Sequence, residues 1–249
     1  MFEIMQKNVE KMTINYSPNF HPKKRDKKKI KHLVFHYTGM RNDRLAIKKL
    51  TSLNSNVSCH YYITKTGNLI QMVPDLYISW HAGKSNWGRQ KSLNYSSIGI
   101  EISNPGHQHG YKKFNDNQIN CLIKISKFLI NKYKIQKKNI LGHSDIAPQR
   151  KKDPGEKFPW KFLYKKKIGI WHDLNLKNLE LLRGQIIKLN ISKFFYYLKG
   201  IGYKTDYSNE NEQKKIIKTF QMRFRPELID GKLDKECFKI AKSLKILNK

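Results

Sequence analysis

Four side chains spread along the sequence could do chemistry together. His36 lies in LVFHYTG (33–39), Glu101 in SIGIEIS (97–103) and His143 at the end of NILGH (139–143). Asp153 follows ten residues later, in GHSDIAPQRKKDPG (142–155). Strand ends and the loops beside them are where a rigid framework hands side chains to a site. Two imidazoles and one carboxylate make a borderline donor set suited to zinc, and three protein donors leave a fourth position for water. Spacing alone does not select them. The chain has nine histidines, and a histidine more often ends up on the surface or hydrogen-bonded in a core.

The elements that must position these residues are legible from periodicity and turn chemistry. Residues 30–38 are rich in β-branched and aromatic types and read as a strand. Residues 57–64 and 69–74, joined by Lys65-Thr66-Gly67-Asn68, read as a hairpin. A further strand over 97–103 stops at Asn104-Pro105-Gly106. Asn115 with Gln118 resembles a capping box, and Ile119, Leu122, Ile123, Ser126, Leu129, Ile130 and Tyr133 recur at helical spacing. A short strand over 139–143 follows. Intermixed strands and helices predict an α/β fold, a mixed β-sheet flanked by helices.

The flanks read differently. Residues 1–29 end in HPKKRDKKK and read as an irregular basic arm, and 166–190 as a basic connector. Three short helical stretches follow, over 191–199, 211–224 and 233–246. Gly200 stands where a C-cap belongs, and Asp230-Gly231 divides the last two. The expected organisation is a basic arm (1–29), a catalytic domain (30–165), a connector (166–190) and a small three-helix domain (191–249). The last is near the lower size limit for independent folding.

Composition bounds the function. Fifty basic against 19 acidic residues give a formal net charge of +31, which favours an anionic partner. The lysines are scattered along the whole chain, alongside abundant isoleucine and asparagine, whereas nucleic-acid footprints cluster on one face. No reader motif accompanies them, so nucleic-acid binding is a remote alternative. The three cysteines stand far apart without a CxxC, which argues against a disulfide framework and a thiolate zinc site. No apolar run approaches the roughly 20 residues of a membrane span. The first twenty residues lack the apolar core of a secretory signal. That predicts a cytoplasmic start, with the periplasm or envelope as the alternative.

Four segments together resemble the zinc-dependent N-acetylmuramoyl-L-alanine amidases of the AmiD/AmpD type, whose fold also includes a bacteriophage lysozyme and the peptidoglycan-recognition proteins. They are LVFHYTG (33–39), SWHAGKSNWG (79–88), LNYSSIGIEISNPG (93–106) and GHSDIAPQRKKDPG (142–155). The resemblance covers residues 30–165 and implies one zinc ion held by His36, His143 and Asp153. It implies Glu101 as general base for the attacking water. Lys151 is implied as the cation beside the reacting amide, with Lys152 next to it leaving open which lysine points inward. Asp145 and Arg150 read as ordinary loop residues.

The implied reaction is hydrolysis of the amide between N-acetylmuramic acid, or its anhydro form, and L-alanine. Peptidoglycan or muropeptide is then the partner, and a monomer is expected. Trp80, His81, Ser85 and Trp87 in the SWHAGKSNWG loop, with His60 and Asn94, are the candidate substrate contacts. His107 and His109 fall outside the matched positions and read as loop residues. Residues 196–203, 216–224 and 229–238 resemble three-helix peptidoglycan-binding domains, which raise local substrate concentration by tethering. A non-catalytic peptidoglycan-binding protein is the alternative from another class.

Overall fold

The computed structural model describes residues 12–186, 191–206 and 209–247. The strands, in chain order, are β1 (Met12–Ile14), β2 (Phe20–His21), β3 (His32–Tyr37), β4 (Tyr61–Ile63), β5 (Leu69–Gln71), β6 (Ile78–Ser79), β7 (Asn86–Trp87), β8 (Gln90–Lys91), β9 (Ser97–Ile102) and β10 (Ile140–Gly142). The α-helices are α1 (Asp43–Thr51), α2 (Asp116–Tyr133), α3 (His143–Ile146), α4 (Trp160–Lys165), α5 (Leu176–Glu180), α6 (Ile191–Ile201), α7 (Glu210–Phe224) and α8 (Lys235–Leu247). Six strands form the main sheet in the order β1-β5-β4-β9-β3-β10. All its pairings are parallel except β4 with β5, the hairpin expected from its turn.

The adjacent strands β9 and β3, each paired on both sides, have the apolar content of strands covered on both faces. Leu33, Val34, Phe35, Ile98, Ile100 and Ile102 are fully buried. Helix α2 lies on one face with Ile119, Leu122, Ile125 and Leu129 inward. The capping box is present: the Asn115 side chain accepts from the Gln118 N–H, and Gln118 returns the bond to the Asn115 N–H. Helix α1 covers a smaller apolar cluster that includes Ala46, Leu50, Tyr62 and Met72.

Several expectations need correction. The described part of the N-terminal arm is built into the fold; residues 1–11 lie outside the described residues. β1 extends the sheet beside β5, β2 pairs with β6, and Arg25 is buried. The connector is equally embedded, with Ile168, Ile170, Trp171 and Leu179 in the main core. Gly200 lies inside α6, against Lys245 of α8, and the chain turns instead at Gly202, φ 132°. His143 opens a helix rather than ending a strand. Phe194, Leu198, Phe220 and Ile240 of the C-terminal helices belong to the same continuous core as the sheet. The three cysteines are free and buried, and no described helix is long and apolar enough to cross a membrane.

Candidate metal centre and active-site cleft

Sheet register explains why residues so distant in sequence meet. His36 on β3 is the direct partner of Glu101 on β9, so both side chains leave the same face. Phe35 pairs with Gly142 on β10, which sets His143, the next residue, level with His36. Asp153 returns to this edge through a loop pinned by the Ser144 N–H, which donates to the Asp153 carbonyl at 2.8 Å. The site therefore sits at the carboxyl ends of parallel strands, where open α/β sheets place their ligands.

His36 Nδ1, His143 Nδ1 and Asp153 Oδ2 converge, separated by 2.9, 3.0 and 3.0 Å. All three residues are buried. The surrounding bonds decide where the imidazole protons lie. Ser97 Oγ donates to the Leu93 carbonyl, so it accepts from His81 Nε2–H at 3.0 Å. His81 Nδ1 is then a lone pair and accepts from His36 Nε2–H at 2.9 Å. His143 Nε2–H donates to the Ala82 carbonyl at 3.1 Å. Burial, then His143, pushes His36 down to about 4, so it is neutral near pH 7. A neutral imidazole has one N–H. With each Nε2–H committed to another partner, each imidazole in its neutral, metal-binding form has its Nδ1 left to offer a lone pair beside the Asp153 oxygen. Such a triangle of acceptors fits a cation, and two imidazoles with one carboxylate suit zinc.

Asp153 is fit to be the anionic member. Burial alone would raise its pKa, but in the metal-free site charge and hydrogen bonding from His143 and His36, whenever a proton sits on either Nδ1, hold it well below the usual carboxylate range. Glu101 behaves oppositely: burial, then Asp153, pushes it up to about 8, while Lys151 pulls it back. Its Oε2 is shielded from solvent and has no hydrogen-bond partner. A buried, unpaired carboxylate oxygen costs stability unless something else uses it. Of the tandem lysines, Lys151 is half-buried and acts on both Glu101 and His36, and Lys152 is exposed.

His143, Asp153, Glu101, Lys151 and Lys152 line a cleft of about 450 Å³ that also takes in Tyr37, Lys49, Trp80, His107 and Arg150; His36 lies behind them and is not among its lining residues. The residues read as substrate contacts divide. Trp80 and His81 line the cleft, although His81 is buried and bonded to His36. His60, Ser85, Trp87 and Asn94 are not among its lining residues. His60 is fully buried and accepts from the Gly99 N–H at 3.0 Å. Gly99 is needed beneath the histidine layer, since a Cβ there would stand 2.4 Å from the His81 ring. Asn94 Oδ1 accepts from the His81 and Ala82 N–H groups and shapes the loop. Ser85 Oγ accepts from the Leu93 N–H. Trp87 packs edge-on against Tyr203, ring centroids 4.9 Å apart.

Sequence reasoning missed other residues here. His107 stands on the cleft rim with Nδ1 2.8 Å from Tyr37 Oη and Nε2 3.0 Å from Glu156; its place two residues after Pro105 was the available signal. Arg150 does staple a loop, donating to the Ala82 and Lys84 carbonyls, and it also lines the cleft. Asp145 is buried, not solvated, because its partners come from the far C-terminal helices. Lys49 carried no signal in the sequence.

A parallel-edged α/β sheet with a buried donor triad beside an unpaired glutamate defines an amide hydrolase class once it is set against known proteins. The family model described as N-acetylmuramoyl-L-alanine amidase matches residues 26–156, and the chain belongs to that family. It is 37% identical to N-acetylmuramoyl-L-alanine amidase AmiD of Escherichia coli strain K12 over 231 residues, 87% of this chain and 82% of that protein. It is 38% identical to 1,6-anhydro-N-acetylmuramyl-L-alanine amidase AmpD of the same strain over 104 residues, 42% of this chain and 55% of AmpD. A solved complex of AmiD from E. coli with the substrate anhydro-N-acetylmuramic acid-L-Ala-D-gamma-Glu-L-Lys superposes with a TM-score of 0.78 at 34% identity, covering 87% of this chain and 88% of that one. AmpDh3 from Pseudomonas aeruginosa gives 0.78 at 31% identity, covering 91% and 94%.

Proposed function

We propose that the chain is a zinc-dependent amidase that hydrolyses the bond between N-acetylmuramic acid, or its anhydro form, and L-alanine. His36, His143 and Asp153 hold the ion, Glu101 is the general base and Lys151 the charge-stabilising cation. One observation carries this: three buried metal-ligating atoms, two imidazole Nδ1 and one carboxylate oxygen, converge within 3.0 Å of one another beside a glutamate whose buried oxygen has no partner. Zinc held there would polarise the amide carbonyl and lower the pKa of water to about 7. Glu101 takes a proton from the attacking water and passes it to the leaving nitrogen of L-alanine. A group of ordinarily low pKa is a poor proton donor in that second step; burial raises Glu101 toward the donor role, and a cation held beside it would draw it back toward the ionised form that the first step needs. Lys151 offsets the charge that develops on the carbonyl oxygen. His81 keeps His36 in the tautomer that presents Nδ1.

The cleft favours an anionic substrate, because Lys49, Arg150, Lys151 and Lys152 all line it. A stem peptide carries such carboxylates. The muropeptide bound in the AmiD complex supports a soluble anhydro-muropeptide as one substrate. Residues 30–165 form the catalytic unit in this reading, followed by the helical region from 191. Digestion of purified sacculi and of anhydro-muropeptides, with and without chelator and added zinc, tests it. Released L-alanyl peptides that vanish on chelation and return with zinc are expected. Chelator-insensitive cleavage, or none with zinc present, would overturn the zinc mechanism.

A further inference from the structure

Asp145 lies in the short helix that begins with His143, and the C-terminal helices reach it from two sides. Arg223 of α7, buried, donates through Nη1 to Asp145 Oδ2 and through Nη2 to the Ile140 carbonyl at 3.0 Å. Tyr203, just beyond α6, donates its hydroxyl to Asp145 Oδ1 at 2.5 Å. The same carboxylate accepts from the Gly142 N–H at 2.7 Å, which closes the turn from which His143 projects. The guanidinium carbon of Arg223 stands over the Trp160 ring, 4.1 Å from its centroid. His143 is held at its other nitrogen by Ala82, on a loop the helical region also grips. There Trp87 packs on Tyr203, and the Gly88 N–H donates to the Gly202 carbonyl at 2.6 Å. Gly202 permits that approach, since a Cβ on it would stand 2.5 Å from Trp87.

We propose that Arg223 and Tyr203 are positioning residues for His143, so that the helical region braces the metal centre rather than serving only as a tethered appendage. The inference rests on the zinc reading above. Its physical basis is that Asp145 is a buried carboxylate with partners from both regions. Removing the helical partners leaves it capping one N–H with its charge unpaired in the core, and such a group moves toward solvent or another donor. The turn that aims His143 moves with it. Metal donors depend on the groups that orient them, and loss of an orienting partner weakens binding by about 10- to 100-fold.

The test uses full-length protein as wild type, Tyr203→Phe, Arg223→Lys, Arg223→Met and, as a control, Ile240→Ala, a buried core change in α8. Zinc affinity is measured by chelator competition, and kcat and KM on an anhydro-muropeptide. Arg223→Met should bind zinc about 10- to 100-fold more weakly. Its kcat should fall by a similar factor with KM nearly unchanged. Tyr203→Phe should shift both in the same direction by less, and Arg223→Lys should recover part of the loss. Ile240→Ala should lower the melting temperature without changing zinc affinity. Wild-type zinc affinity and kcat in folded Arg223→Met and Tyr203→Phe would overturn the proposal, as would an equal loss in Ile240→Ala. If Arg223→Met fails to fold, Tyr203→Phe and Arg223→Lys decide alone. A wild type that binds no zinc overturns the zinc reading itself, and that result appears in a separate arm.

Discussion

Two of the buried polar clusters among the described residues make a contrast, one under the hairpin and one at the carboxyl edge of the sheet. In the first, Arg25 donates to the Asp75 carbonyl through Nε and Nη2 and to the Asn94 carbonyl through Nη1. The Asp75 carboxylate accepts from Lys132 at 2.7 Å and from the Tyr61 and Tyr133 hydroxyls at 2.6 Å each. Its acceptors face donors. In the second cluster three metal-ligating atoms converge on one point and the Glu101 Oε2 has no hydrogen-bond partner. Burial is similar and the residue types overlap. What separates a cluster that holds the fold from one arranged for a ligand is whether donors and acceptors cancel within the protein.

That contrast makes the strongest prediction at Glu101. Glu101→Gln should lower kcat by about 10²- to 10⁴-fold with zinc still bound. Wild-type turnover in this variant would remove the distinction altogether. Asp75→Ala should do the reverse. Unpairing a buried charge network costs about 3–5 kcal/mol, visible as a lower denaturant midpoint, while the folded fraction keeps its kcat. A loss of kcat larger than the loss of folded protein would mean that the two clusters are coupled.

The pH dependence of the metal-free protein should separate them next. Burial pushes His32 and His172 down to about 4 and His60 to about 3. The unfolded chain takes up those protons near 6.5 and the folded chain does not, so stability present above that pH is lost as pH falls toward 4. Glu101 is raised from 4.5 to about 8. The folded state keeps that proton through the window, so its contribution falls as pH rises from about 4.5 to 8. Melting of metal-free wild type and Glu101→Gln should diverge in favour of the variant above pH 8 and converge near pH 4.5; parallel curves would contradict the burial assigned to Glu101. The smallest effect is expected at Lys152. Lys152→Ala should change kcat by less than about twofold, whereas Lys151→Ala should lower it by about 10²-fold or more.

Local chemistry made much of the fold readable. The hairpin announced itself through its turn, and α2 through Asn115 and Gln118. The donor triad emerged only from four motifs taken together, since no property of His36 marks it among nine histidines. What stayed hidden depends on partners far along the chain. β1 and β2 are too short to carry a period, and their places are set by β5 and β6. Asp145 looks like any loop carboxylate until Arg223, 78 residues on, is seen against it. Trp87 reads as an exposed loop aromatic because the Tyr203 that covers it lies in the C-terminal region.

The strand order has a consequence for synthesis. β3 is made early, yet its two neighbours in the sheet, β9 and β10, are both made later. His36 waits for His143, 107 residues downstream, and for Asp153, 117 residues downstream. While the ribosome adds those residues, the apolar run Leu33-Val34-Phe35 has two open edges. Pairings of such long range close slowly, and exposed apolar strands are where nascent chains associate with one another. The strand that carries His36, paired on both sides in the finished sheet, is thus the one most in need of protection while the chain is being made.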